Sequence, residues 1–258
     1  LPGRFDGQIM HSAEYRSAEV FKGKRVLIVG CGNSGADIAV DAVHHAKSVD
    51  MSLRRGYYFL PKFIKGKPTS SGSLIMKDFV ADMPSVGNER ILRAGGIVHA
   101  RTATPEFSSA AYTNSRLWGV TRNPWNPEFT PGGSSGGSAA SLAAGTSAIA
   151  TGSDIGGSIR IPAGTCGLAG YKPPYGRNSD DPPFNLDFYC HTGPLARNVS
   201  DAILLQNVMC GPHPKDMASL RPKLRLPAHY PPIKDWKIAF SMDLGFFEVD
   251  PDVQQNTL

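Results

Sequence analysis

The chain has 258 residues, which bounds it at one or two domains, and a formal net charge of +5. Hydrophobic residues make up 41% and charged residues 19%, a balance that excludes a disordered chain. Residues 1–67 hold 11 Lys/Arg against 6 Asp/Glu and the rest holds equal numbers, but the basic residues are scattered rather than forming a run, so no nucleic-acid partner is expected.

The first local pattern is the apolar run Arg25-Val26-Leu27-Ile28-Val29, which reads as a buried parallel strand. Gly30-Cys31-Gly32-Asn33-Ser34-Gly35 follows it. A helix comes next, with Ala36, Ala39, Val40 and Val43 on one face. The alternation of Val49, Met51 and Leu53 with Ser48, Asp50 and Ser52 predicts a second strand. Strand, Gly-x-Gly-x-x-Gly, helix and strand is the context a dinucleotide fingerprint needs. Gly30 serves the tight turn, Gly32 the approach of a pyrophosphate and Gly35 close helix packing. Arg54 and Arg55 close the second strand, where paired guanidinium groups suit a 2′-phosphate and favour NADP. Phe5-Asp6-Gly7-Gln8-Ile9-Met10-His11-Ser12-Ala13-Glu14-Tyr15 and Phe21-Lys22-Gly23-Lys24 lie just upstream. With Gly32-Asn33-Ser34-Gly35 they resemble the flavin-containing monooxygenase family over residues 1–67. That resemblance implies NADP for this segment. It implies no FAD, because the family's earlier flavin-binding fingerprint is missing.

Further along, Pro131-Gly132-Gly133-Ser134-Ser135-Gly136-Gly137-Ser138 leads into a small-residue stretch, 139–144, that predicts a closely packed helix. Gly152-Ser153-Asp154-Ile155-Gly156-Gly157-Ser158-Ile159-Arg160 follows. Glycines beside a serine permit close substrate approach, and successive N–H groups in such a loop can converge on an oxyanion. Both tracts resemble the core of the amidase signature family. So do Thr104-Pro105-Glu106-Phe107, Gly119-Val120-Thr121-Arg122-Asn123-Pro124-Trp125, Gly167-Leu168-Ala169-Gly170-Tyr171-Lys172-Pro173 and Thr192-Gly193-Pro194-Leu195-Ala196-Arg197. The resemblance implies hydrolysis or transfer of amide groups by a Ser–cis-Ser–Lys triad, without a cofactor or metal. It makes Ser158 the nucleophile and Ser134 the bridging serine, after a cis Gly133-Ser134 bond. Ile155, Gly156 and Gly157, with the Ser158 amide, would form the oxyanion hole, braced by Asp154 and Arg160.

The family's lysine precedes an element that stands here as Thr69-Ser70-Ser71-Gly72-Ser73, and its expected position falls near Tyr58 and Phe59. Lys62, Lys65 and Lys77 are the lysines nearby, and Lys65, in Ile64-Lys65-Gly66, is the candidate base. The expected architecture is α/β. A truncated Rossmann-like βαβ unit (1–67) precedes an incomplete amidase-signature domain (68–258), with the join near Lys67-Pro68-Thr69. In the second part 238–241 reads as a strand and 250–258 as the start of a helix. The chain opens Leu1-Pro2-Gly3-Arg4 and reads as the interior of something longer. Cys31, Cys166, Cys190 and Cys210 show no Cys-x-x-Cys spacing, so a reducing, cytoplasmic setting is the default. Glycine and proline, 28 and 21 residues, predict many tight turns, and no apolar run is long enough to span a membrane. The function expected is that of an amidase-like hydrolase of a small-molecule amide, impaired by the missing lysine and the truncated domain. The alternatives are an NADP-binding monooxygenase fragment and a chimeric chain without evolved function.

Overall fold

The computed structural model describes residues 5–29, 38, 42, 45–52, 58–59, 64–182 and 184–257. The sequence positions Gly30, Gly32, Gly35, Arg54, Arg55 and Lys62 lie outside this set, as do Ala36, Ala39, Val40 and Val43 of the expected helix face. The chain divides into two units, residues 1–228 and 229–258.

At the N-terminal end, β1 (Arg25–Val29) and β2 (Ser48–Ser52) pair in parallel, with Arg25 opposite Ser48 and Val29 opposite Ser52. A small cluster of Ala18, Phe21 and Ala42 packs with Val26, Ile38 and Val49. Only one face of β1 is covered: Ile28 is buried while Leu27 and Val29 are each 58% exposed. The run is therefore a parallel strand as expected, but not one buried on both sides. Among the described residues no third strand joins this pair, and a strand with one packed face leaves alternate side chains in water. His11, singled out by the sequence, sits in an exposed loop where its Nδ1 accepts from the Ala13 amide.

The main body is a five-stranded sheet in the order β4-β3-β7-β9-β8. Its strands are β3 (Tyr58–Phe59), β4 (Val98–Ala100), β7 (Ile149–Asp154), β8 (Ala169–Gly170) and β9 (His191–Ala196), and a separate hairpin joins β5 (Asn114–Ser115) to β6 (Gly119–Val120). β3 runs parallel to both β4 and β7, whereas β9 runs antiparallel to β7 and β8. Among the described residues, four helices pack on this sheet: α1 (Val86–Arg93), α2 (Gly136–Ala143), α3 (Arg160–Cys166) and α4 (Val199–Met209). Strand alternation sends successive residues to opposite faces. Ile149 and Ala196 join Ile64, Ile91, Ala202, Leu205 and Met209 on the α1/α4 side. Ala150 and Leu195 join Leu142, Ile159 and Ala163 on the α2/α3 side. Every residue of β9 is buried, as a strand covered by helices on both faces must be.

Local chemistry fixes the helix ends. Asn198 caps α4 by accepting from the Asp201 amide at 2.9 Å. The Arg90 guanidinium of α1 donates to the carbonyls of Met209, Gly211 and Pro212, which satisfies acceptors left free where α4 stops.

In the second unit a helix, α5 (Pro251–Thr257), forms where the sequence anticipated one. The expected strand at 238–241 does not form, and Ile238 and Phe240 are 72% and 62% exposed. An apolar run becomes a strand only when a neighbouring strand takes up its backbone N–H and C=O groups, and no such partner is present among the described residues.

Candidate active site

The two Ser/Gly tracts come together at one end of β7. The first enters α2 through the cis Gly133-Ser134 bond expected from the sequence. Here the backbone passes so close to 110–112 that a Cβ on Gly133 would lie 2.6 Å from the Tyr112 nitrogen. Thr113, buried in the hairpin strand region, donates from its hydroxyl to the Gly132 carbonyl (2.9 Å) and accepts from the Gly136 amide (3.1 Å). It thereby pins the entry to α2 and satisfies one of the helix's free N–H groups. α2 itself can dock only because it is built of small residues. A Cβ on Gly137 would run into the Ala103 carbonyl oxygen.

The second tract leaves β7 at Asp154 and turns through 155–159 into α3. Gly157 takes φ +121°, a conformation that L side chains rarely adopt. The turn is organised around the Asp154 carboxylate, which is fully buried. Oδ1 accepts from the Gly157 amide at 2.8 Å, and Oδ2 accepts from the Ile159 and Arg160 amides at 3.2 Å each. The Arg160 guanidinium adds two charge-assisted bonds of 3.0 Å, one to each carboxylate oxygen. Lys172 Nζ lies 3.3 Å from Oδ1 and donates to the Ile155 carbonyl at 2.8 Å. Burial alone would raise the carboxyl's pKa, but the bonds from Arg160 and from the Gly157 and Ile159 amides outweigh it and hold Asp154 far below the usual carboxylate range. The same bond raises Arg160.

Ser134 is 2% exposed and Ser158 is half-buried. The tracts that carry them are joined through the backbone: the Ser135 amide, next to Ser134, donates to the Ser158 carbonyl at 3.2 Å. Ser135 Oγ also accepts from the Ser153 amide at 3.4 Å. Of the expected oxyanion donors, Gly157 already gives its N–H to Asp154, whereas the amides of Ile155, Gly156 and Ser158 are not drawn onto that carboxylate.

The element 69–73 packs beside this core. Ser73 Oγ donates to Glu106 at 2.6 Å, Arg101 donates to Thr69 Oγ1 at 2.6 Å, and the Phe107 amide donates to the Ser71 carbonyl at 2.8 Å. Lys65 sits on an exposed turn before it. Among the described residues no lysine hydrogen-bonds the Ser134 hydroxyl, and Lys65 makes no hydrogen bond or ion pair. The strand between β4 and β7 carries Tyr58 and Phe59, where the resemblance places the family's lysine. The role of Lys172 was not read from the sequence. It lies inside a motif already noted, but only the packing of β8 against β9 puts it over the loop after β7. On β9, His191 is paired in register with Asp154, and burial together with the Lys172 charge lowers its pKa.

The sequence model of the Amidase family matches residues 63–258, and that of the flavin-binding monooxygenase-like family matches residues 1–87. The chain is 34% identical over 262 residues to the glutamyl-tRNA(Gln) amidotransferase A-subunit of Methanosarcina barkeri, covering 96% of this chain and 54% of that protein. It is 39% identical over 199 residues to the protein of the same name from a Cyanothece species, covering 75% and 41%. Among solved structures, 6-aminohexanoate cyclic dimer hydrolase complexed with substrate superposes with a TM-score of 0.61 and 37% identity over 64% of this chain and 36% of that one. A bacterial aryl acylamidase superposes with a TM-score of 0.61 and 35% identity over 66% and 36%. The chain thus spans about half of the first relative's length, and about a third of these solved chains.

Proposed function

This chain belongs to the amidase family, and on that premise we propose that it acts on a carbon–nitrogen amide bond of a small molecule, with Ser158 as nucleophile and Ser134 as bridging serine. Two of the relatives are named for such chemistry, one an acylamidase and the other part of an amidotransferase. The single observation that carries the reading is the Ser135–Ser158 backbone bond, which holds the tract of the buried hydroxyl against that of the accessible one. Ser158 Oγ would attack the amide carbon while its proton passes to Ser134 Oγ, whose own proton moves on to a base. The oxyanion would rest on the Ile155 and Gly156 amides, with Gly157 shared with Asp154. The C–N bond then breaks, the amine leaves with a proton returned through Ser134, and water hydrolyses the acyl ester. Lys65 is the candidate base, and its exposed turn is the reason we propose that turnover is impaired. The buried free thiols of Cys166 and Cys210 fit a cytoplasmic setting.

A fluorophosphonate probe tests this. Slow labelling that Ser158→Ala abolishes is the expected result. Labelling that survives Ser158→Ala removes that residue as nucleophile, and labelling at the rate of an efficient serine hydrolase removes the impairment. Loss of labelling in Lys65→Ala assigns the base, and an unchanged rate strikes Lys65 out.

A second reading rests on the match of residues 1–87 to the monooxygenase-like family and on the parallel β1–β2 pair. We propose the junction of the two sequence patterns at 67/68, although Tyr58, Phe59 and Ile64 are built into the amidase-like sheet and core. In this reading Gly30, Gly32, Gly35, Arg54 and Arg55 would hold NADP. Fluorescence titration should then show NADPH binding that Arg54→Ala/Arg55→Ala removes. A chimeric chain without evolved function would show neither labelling nor NADPH binding.

A further inference from the structure

We propose that Lys172 is a positioning residue that sets the orientation of the Ile155–Gly156 peptide and so aims the Gly156 N–H at the oxyanion site; this rests on the Ser158 reading. The Lys172 side chain is 18% exposed, and its ammonium bridges two acceptors. One is the Ile155 carbonyl at 2.8 Å, and the other is Asp154 Oδ1 at 3.3 Å. The Ile155–Gly156 bond is not among the cis peptides of the described residues. In a planar trans peptide the carbonyl and the following N–H point in opposite directions. Holding the Ile155 oxygen on Lys172 therefore turns the Gly156 N–H to the other side of the loop.

Asp154 does not supply this constraint by itself. It collects the amides of Gly157, Ile159 and Arg160 but receives none from Gly156. The glycine pair 156–157 offers little intrinsic resistance to a peptide flip, and a Cβ on Gly156 would meet nothing within 4 Å. The lysine, by contrast, stands on a fixed base. The Tyr171 amide before it donates to the Pro194 carbonyl at 3.1 Å. Pro173 after it is fully buried against Gly193. The carboxylate thus secures the second half of the loop, and Lys172 secures the first.

Ile155–Gly156 is the one Ile–Gly step in the sequence. The chain grown with carbonyl-13C isoleucine and 15N glycine therefore gives a single HNCO cross-peak that reports this peptide alone. In Lys172→Met, which keeps an apolar stem and removes the ammonium, the peak should move while the rest of the spectrum stays folded. In Lys172→Arg it should stay near its original place. Fluorophosphonate labelling of Ser158 should fall about tenfold or more in Lys172→Met and recover in Lys172→Arg, as for loss of an oxyanion donor. A cross-peak unmoved in Lys172→Met overturns the proposal, and so does a moved peak with an unchanged labelling rate. A wild-type chain that never labels counts against the Ser158 reading instead, and the cross-peak still decides whether Lys172 holds the peptide. Should Lys172→Met fail to fold, Lys172→Gln is read by the same criteria.

Discussion

Asp154 shows how much one side chain can organise. It accepts from three backbone amides and from both ends of a guanidinium, and it lies beside an ammonium, all without contact with water. Removing its charge leaves two cations without their partner. Asp154→Asn should cost about 2–3 kcal/mol, below the range for fully buried pairs because the Arg160 head is half in water. A urea titration measures it. The same carboxylate makes stability depend on pH. Its folded pKa is depressed, so on acidification the unfolded chain takes up the proton first. The contribution is fully present above the unfolded value, about 3.9, and is lost as pH falls through the folded one. The urea midpoint of the wild type should therefore drop below about pH 5, and more steeply than that of Asp154→Asn.

Two glycines in neighbouring helices separate close packing from mere backbone freedom. In α2, a methyl on Gly137 meets the Ala103 backbone, which cannot swing aside as a side chain could. Gly137→Ala should destabilise by about 1–3 kcal/mol through overpacking. In α3, a methyl on Gly164 meets nothing within 4 Å. Gly164→Ala should gain about 0.5–1 kcal/mol, because a helix-interior glycine loses more conformational freedom on folding. Opposite shifts of the thermal midpoint are the expected result, and shifts of the same sign would contradict this account of how α2 docks.

Burial is uneven along the chain. The sheet and its four helices hold two clusters of buried apolar residues, whereas α5 has no buried residue and Trp236, Ile238 and Phe240 of the second unit are exposed. Segments with few buried contacts open at low free energy and are cleaved first. Trypsin should cut after Lys234 and Lys237 before any site between Val98 and Ala196, as read by intact mass. A cut after Arg101, Arg116 or Arg160 at equal rate would contradict this. Exposed apolar side chains on the main body, Trp118, Trp125 and Phe129 among them, are 60%, 70% and 64% accessible and should bind a hydrophobic dye in the folded state.

Much of this was written in local pattern. The small residues of 139–144 foretold a tightly docked helix, which in the structure starts earlier, at Gly136, where at Gly137 nothing larger clears the Ala103 backbone, and the two Ser/Gly tracts meet at one end of β7. Strand β2 followed from alternation, and the cis bond from motif alone. Pairing across the sheet was not legible, since it depends on which strands are neighbours. A run such as 238–241 looks like β7 in one dimension and forms no ladder without a partner. Leu27 and Val29 face water because β1 gains cover on only one side. Lys172 reaches the loop after β7 only because β9, between β7 and β8, brings the two ends together. Residue spacing encodes which way a side chain faces on its own element; what it faces is decided by elements far away in the chain, once the core has closed.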